Sequence, residues 1–146
     1  AQEDGKGIGR IRLRNVPDAS AASLQGFIVE SVEPGSTVCT DGWRGYEGLS
    51  TKGYKHEVKI LYGRGKDAAT RLLPRVHRVV SLLRRWIMGT HHGSVGDAHL
   101  GYYLDEFTFR FSGRTSASRG KLFYRLLQQA VQAEPRPYRN LVNHIP

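Results

Sequence analysis

The spacing of apolar and polar residues predicts strands in the first half of the chain and helices in the second. Apolar and basic side chains alternate over Ile8–Arg14, which is typical of a half-exposed strand paired with residues 1–3 across a glycine turn. Two β-rich runs, 36–40 and 55–61, predict further strands. Helical patterns predict helices over 20–32, 46–49, 67–88, 97–109 and 119–133. Asp18 and Ser20 are the candidate N-caps of the first of these helices. This order of elements favours a mixed α/β fold.

The longest helical pattern, over 67–88, has one apolar and one polar face. Pro74 marks either its true start or a kink, and Gly89 is expected to end it. The residues predicted on its apolar arc are Val76, Val79, Val80, Leu83, Trp86 and Ile87. The residues predicted on the opposite face are His77, Ser81 and Arg84, flanked by Arg78 and Arg85.

The composition narrows the classes of protein to which the chain can belong. The chain has 146 residues, 39% of them hydrophobic, which suffices for one core-forming domain. No apolar run reaches the roughly 20 residues that span a bilayer, and no secretory signal opens the sequence. The single Cys39 excludes a disulfide framework and a cysteine-based zinc cluster.

The net charge of +9 is concentrated in the second half of the chain. Residues 1–70 hold 10 basic and 9 acidic side chains, whereas residues 71–146 hold 12 basic and 4 acidic ones. Five arginines fall in one short stretch, at Arg71, Arg75, Arg78, Arg84 and Arg85. A dense arginine surface is typical of nucleic-acid binding, and the alternatives are a solvated helix face or an acidic protein partner.

Asp41 and His77 are the main candidates for chemistry. Asp105 and Glu106 offer either a catalytic acid or, as we expect of carboxylates on a helix face, a salt bridge or capping interaction with Arg110 or Arg114. Asp41 directly follows a predicted strand, where an acid serves either as a ligand or base in a crevice or as the cap of the next turn. His77 is either a surface residue or a ligand, and the six histidines show no zinc-binding spacing. Trp43 and Trp86 are either core residues or platforms on which bases stack. We expect both in the core, because Trp86 falls on the apolar arc and aromatic side chains bury large areas.

Five runs of the sequence resemble the C-terminal part of bacterial insertion-sequence transposases of the DDE type, in the ISXO-like subgroup (IS fifteen-ninety-five type). These runs are TDGWRGYEGL at 40–49, GYKHEV at 53–58, LPRVHRVVSLLRRWIMGTHHG at 73–93, HLGYYLDEFTFRF at 99–111 and RGKLFYRLLQQAV at 119–131. The resemblance implies an RNase H-like (retroviral-integrase-like) mixed sheet with flanking helices. It assigns residues 1–133 to the catalytic domain and 134–146 to an irregular tail, with the first strand and first catalytic Asp expected before Ala1.

The same resemblance implies a site with two divalent ions, Mg²⁺ or Mn²⁺. Asp41 matches the second acid of the family, and His77 stands where the third acid, a Glu, is expected, after 35 intervening residues. Arg84 matches a basic position seven residues further on. Imidazole suits Mn²⁺ better than Mg²⁺, so His77 would weaken Mg²⁺ binding or shift the metal preference. Asp41 and His77 are thus the implied catalytic residues and metal ligands.

The implied function is metal-dependent cleavage and strand transfer of insertion-sequence DNA. Its implied partners are the element ends and target DNA, with a homodimer as the candidate assembly and a cytoplasmic, nucleoid-associated location. The DNA contacts would come from Arg75, Arg78, Arg84 and Arg85. Without a first Asp, the chain is expected to be an incomplete or inactive fragment. The alternatives are a non-catalytic basic DNA-binding module and a stand-alone RNase H-like nuclease.

Overall fold

A computed structural model describes residues 1–61, 63, 65, 67–93, 95–135, 137 and 138. The strands are β1 Glu3–Asp4, β2 Gly7–Ile8, β3 Thr37–Thr40 and β4 Lys55–Val58. The α-helices are α1 Ala21–Ser31, α2 Ala68–Leu72, α3 Pro74–His91, α4 Leu100–Gly113 and α5 Arg119–Gln132. The 3₁₀-helices are η1 Arg44–Tyr46, η2 Leu49–Lys52 and η3 Asp97–His99. The chain divides into two compact units, Ala1–Val95 and Gly96–Pro146.

The mixed α/β class is confirmed, with helices and small sheets. Over the described ranges, the strands form two separate pairs, β1 with β2 and β3 with β4. A single RNase H-like mixed sheet therefore stays a prediction. The boundary predicted at residue 133 also stays a prediction, and the tail expected over 134–146 lies largely outside the described residues.

The first pair is a short antiparallel hairpin with Glu3 opposite Ile8. The strand predicted over Ile8–Arg14 is wrong beyond Ile8, although a bond from the Gln2 N–H to the Arg10 carbonyl (2.8 Å) continues the pairing. The alternation still describes burial, since Ile11 is buried and its basic neighbours are exposed. Alternation reports which side chains face inward, whereas a strand also needs a partner strand of the same length.

The second pair is parallel, with Thr37 opposite Lys55 and Thr40 opposite Val58. Both strands fall where the sequence predicts them but are shorter than the predicted runs. Helix α1 precedes β3 and begins as predicted, with the Ser20 side chain accepting a bond from the Ser23 N–H. The core beside these strands consists of Ile28, Leu49 and Tyr54, with Val32, Val38 and Tyr46 packed against it.

The helix predicted over 67–88 is interrupted at Leu73 and extends further than expected. Pro74 is the first residue of α3, and Leu73 before it leaves the helical region (φ −129°, ψ 55°) because proline crowds the residue that precedes it. Gly89 does not end the helix. The turn out of α3 is made instead by His92 (φ 50°), whose N–H bonds to the Ile87 carbonyl.

The buried side of α3 is rotated from the predicted arc. Val79 is buried, but Val76 and Val80 are 44% and 45% exposed, so their assignment to a buried arc is wrong. Arg75 lies on the inward side instead, where its guanidinium bonds to the β1–β2 hairpin. His77 is exposed, as predicted for the polar face.

The second unit contains α4 and α5. Leu104, Phe107 and Phe111 of α4 are buried. On the exposed side, Glu106 pairs with Arg110 four residues later (2.8 Å), as the sequence predicts for a helix-face carboxylate. Helix α5 has apolar residues on one side but no buried residue.

Candidate functional site

The candidate site is built on the turn that follows β3. Asp41 comes directly after the strand, and the Lys59 N–H bonds to the Thr40 carbonyl (2.8 Å), which extends the parallel pairing to the edge. The Asp41 Oδ1 accepts a hydrogen bond from the Trp43 N–H (3.1 Å), so Asp41 does cap the next turn. The Asp41 side chain also remains exposed, which leaves its carboxylate open to an outside ligand.

The backbone conformation of this turn requires glycine at position 42. Its φ of 84° lies in the region that glycine adopts without strain. A Cβ at this position would lie 2.8 Å from Val58 Cγ1, so the close approach of the turn to β4 also requires glycine. The Asp-Gly pair therefore serves the geometry of the turn as well as any chemistry of the carboxylate.

A polar pair made by buried Thr40 and half-buried His56 lies next to this turn. Thr40 is 6% exposed, and its Oγ1 lies 2.8 Å from Nε2 of His56 on the neighbouring strand. The same Oγ1 accepts a bond from the Gly42 N–H (3.3 Å). Sequence reasoning missed this pair, because a Thr and a His on separate strands carry no local signal of their contact.

Tyr46 contributes a phenol near the carboxylate. Burial raises the pKa of Tyr46, and the negative charge of Asp41 raises it further. Both effects favour the protonated phenol, so Tyr46 is a neutral hydrogen-bond donor at neutral pH. The backbone N–H of Tyr46 bonds to the Trp43 carbonyl (3.0 Å), which ties the phenol to the same turn as Asp41.

Trp43 is not a core residue, contrary to the prediction from its size. Its side chain is 54% exposed, although the indole Nε1–H donates to the Ala19 carbonyl (2.9 Å). Trp86 is half-buried and lies edge-on to the His91 ring (centroids 4.8 Å apart). Trp86 is more buried than Trp43 because it lies on the inward side of α3, whereas Trp43 lies in the turn after β3.

His77 lies on the exposed face of α3, in its first turn. Its backbone N–H bonds to the Leu73 carbonyl (3.1 Å). Among the described residues, no hydrogen bond or ion pair joins the His77 side chain to Asp41. The pairing of these two residues in one site therefore stays a prediction.

The four arginines predicted to contact DNA have two kinds of environment. Arg78, Arg84 and Arg85 are exposed on α3. Arg75 is engaged within the protein, where it pairs with Glu3 (2.5 Å) and donates to the carbonyls of Gly5 (2.9 Å) and Gly7 (3.0 Å). These contacts tie the start of α3 to the β1–β2 hairpin.

The described residues do not complete a metal site by themselves. Across the described ranges, no group of three or more His, Cys, Asp or Glu side chains is placed to hold a metal ion. Asp41 and His77 have donor atoms that suit divalent ions.

No described helix is long and apolar enough to cross a bilayer. No curated protein and no solved structure matches the chain. A protein-family match covers residues 1–112, which include the turn with Asp41 and the helix with His77 and Arg84. Because this match covers most of the chain, the chain belongs to the ISXO2-like transposase domain family.

Proposed function

We propose that this chain is the catalytic part of a DNA transposase that cuts and joins insertion-sequence DNA with the help of divalent metal ions. The family match over residues 1–112 carries the proposal. The exposed Asp41 carboxylate at the end of a parallel strand pair supports it, because ligand sites in α/β proteins lie at that edge. An RNase H-like arrangement of the complete catalytic domain is part of the same proposal.

Asp41 and His77 are the proposed donors for divalent ions, which transposases of the DDE type typically use. Carboxylate oxygen suits Mg²⁺ and Mn²⁺, whereas imidazole nitrogen favours Mn²⁺. The turn of Thr40, Gly42 and Trp43 holds Asp41 in place, so the carboxylate needs little rearrangement to bind a cation. We therefore expect this chain to bind Mn²⁺ more tightly than Mg²⁺.

The exposed arginines of α3 are the proposed phosphate contacts. Arg78, Arg84 and Arg85 can each present a planar guanidinium fork to a DNA phosphate. Arg75 is assigned a positioning role instead, since its guanidinium already bonds to the hairpin. The proposed partners are the element ends and the target DNA, with a homodimer assembled on paired ends and the protein located on the nucleoid.

A second candidate function is DNA binding without catalysis. The exposed Arg78, Arg84 and Arg85 of α3 support it, because they can contact DNA phosphates without any role for Asp41 and His77. Both candidates predict salt-sensitive affinity for DNA. They differ in whether Asp41 and His77 bind metal.

Metal binding distinguishes the two candidates. Mn²⁺ binding to the chain would be measured by calorimetry for the wild type and for Asp41→Ala and His77→Ala, with Asp105→Ala as the control for loss of an exposed acid. The catalytic proposal predicts that the first two variants lose Mn²⁺ affinity and that Asp105→Ala keeps it. Unchanged Mn²⁺ affinity in all three variants would support the non-catalytic module.

A strand-transfer assay tests activity directly. The isolated chain would be mixed with labelled element-end DNA and target DNA in Mg²⁺ or Mn²⁺. We expect little or no joining, because only Asp41 and His77 of this chain match positions of the family's three acidic residues, and no acid here matches the first. Robust joining would contradict the expected inactivity, and cutting without joining would indicate the stand-alone nuclease.

A further inference from the structure

The edge that presents Asp41 also exposes a set of large apolar side chains. Trp43 is 54% exposed, Val58 47% and Ile60 59%. Val58 and Ile60 lie at and just after the end of β4, and Val58 Cγ1 lies next to Gly42. The candidate acid is therefore accompanied by apolar surface that water solvates poorly.

The Trp43 indole is held in one orientation. Its Nε1–H donates to the Ala19 carbonyl (2.9 Å), and its backbone N–H donates to Asp41 Oδ1 (3.1 Å). Gly45 packs closely beside the ring, since a Cβ at Gly45 would lie 3.0 Å from Trp43 Cδ1. An exposed ring that is already fixed loses little conformational entropy when a flat ligand stacks on it.

We propose that Trp43 is a stacking platform for an unpaired nucleobase of the DNA strand whose phosphodiester faces Asp41. This inference rests on the proposed function, since it requires DNA at this edge. A flat base can cover the exposed indole, while its phosphates stay with the basic surface of the chain. Every base has a π face, so the site takes unpaired bases with little sequence preference. A fully paired duplex offers no such base.

The test uses Trp86→Phe, which leaves Trp43 as the single tryptophan of the chain. Two otherwise identical DNA duplexes would be titrated, one with an unpaired terminal nucleotide and the other with an abasic residue at that position. We expect the base-containing duplex to quench Trp43 fluorescence and to bind on the order of 10-fold more tightly than the abasic one. Equal affinity and equal quenching would overturn the inference.

Two substitutions at position 43 separate stacking from apolar contact. Trp43→Phe keeps an aromatic face, and Trp43→Leu keeps apolar bulk without one. We expect Trp43→Phe to retain most of the preference for the base-containing duplex and Trp43→Leu to lose it. If both variants keep the preference, the inference is wrong. The comparison of the two duplexes in the Trp86→Phe chain needs neither variant, so a folding defect in one of them does not affect the result.

Failure of the inference and failure of the proposed function give different results. If both duplexes bind with equal affinity and the affinity falls with salt, DNA binding stands and the base platform is overturned. If neither duplex binds, the proposed function is overturned together with the platform.

Discussion

At the residue scale, the turn that presents Asp41 depends on one buried hydroxyl. Thr40 Oγ1 contacts His56 Nε2 (2.8 Å) and accepts the Gly42 N–H (3.3 Å). His56 lies on β4 and Gly42 lies in the turn after β3, so this hydroxyl links β4 to the backbone of the turn. Removing it would leave two partly buried polar groups without this partner.

Thr40→Val is expected to lower the free energy of unfolding by about 1–3 kcal/mol, because it leaves the His56 ring nitrogen and the Gly42 N–H unpaired. Urea denaturation followed by circular dichroism measures this loss. Thr40→Ser keeps the hydroxyl and is the control, with a smaller loss expected. A Thr40→Val variant as stable as the wild type would show that the hydroxyl contributes little.

The pKa of Asp18 gives a second test at this scale. Hydrogen bonds from the Ser20 side chain and N–H and from the Ser23 hydroxyl lower the pKa of Asp18. The unfolded pKa is therefore higher than the folded one. The stabilisation by the Asp18 charge is then complete above the unfolded pKa and is lost as the pH falls through the folded pKa.

We expect the stability difference between the wild type and Asp18→Asn to be largest at neutral pH and to shrink as the pH falls into the acid range. Denaturation at a series of pH values measures it, and the NMR titration of the Asp18 carboxyl measures the pKa itself. Ser23→Ala should raise that pKa towards its ordinary value, since it removes one of the donors. A difference that grows towards acid pH would contradict this account.

At the element scale, helix α3 shows why a glycine in a sequence does not reliably mark the end of a helix. Gly89 is helical, and the left-handed turn falls at His92 (φ 50°), beyond the expected end. Glycine can adopt either conformation, so the choice depends on the residues that follow. The edge-on contact between Trp86 and His91 lies in these last turns of the helix and supports their helical conformation.

Gly89→Ala is expected to raise the free energy of unfolding by about 0.5–1 kcal/mol, because alanine favours a helix interior and the space around its Cβ is open. Thermal and urea denaturation measure the gain. The matched control is Gly42→Ala, which places a Cβ at positive φ and 2.8 Å from Val58 Cγ1. It should destabilise by more than about 1 kcal/mol. A destabilising Gly89→Ala would contradict the helical assignment of this residue.

At the scale of the whole molecule, the distribution of charge determines which surface of the protein can contact DNA phosphates. The exposed arginines of α3 lie on the same helix as His77, whereas Arg75 serves the hairpin. Each phosphate contact releases condensed counterions, so the number of contacts appears in the salt dependence of the affinity. The proposal of DNA contact by α3 can therefore be tested without catalysis.

Replacing Arg78, Arg84 and Arg85 together by Gln should reduce the magnitude of the slope of log K against log salt by about 0.9 for each phosphate that is no longer neutralised, or about 2.7 in total. Fluorescence anisotropy with labelled duplex at several salt concentrations measures the slope.

The control for that triple variant changes Lys6, Arg10 and Arg12 to Gln, which removes the same net charge from exposed positions outside α3. We expect a smaller change of slope in the control. Equal changes in the two triple variants would show that net charge, and not the α3 face, governs DNA binding.

The sequence by itself determined the features that depend on neighbouring residues. Ser20 caps α1, Glu106 pairs with Arg110, and β3 ends at the residue before Asp41, all as predicted. The family was also identified from runs of adjacent residues, and the match over 1–112 confirms it. These features are local because capping, side-chain spacing and short motifs involve residues within a few positions of each other.

Only the tertiary structure decided which polar side chains meet and which large ones stay exposed. Arg75 bonds to residues 68 to 72 positions away, and Thr40 contacts His56 16 positions away. Trp43 remains exposed despite its size because β3 ends before it. Such contacts depend on how distant segments pack, and local propensities carry little information about that packing.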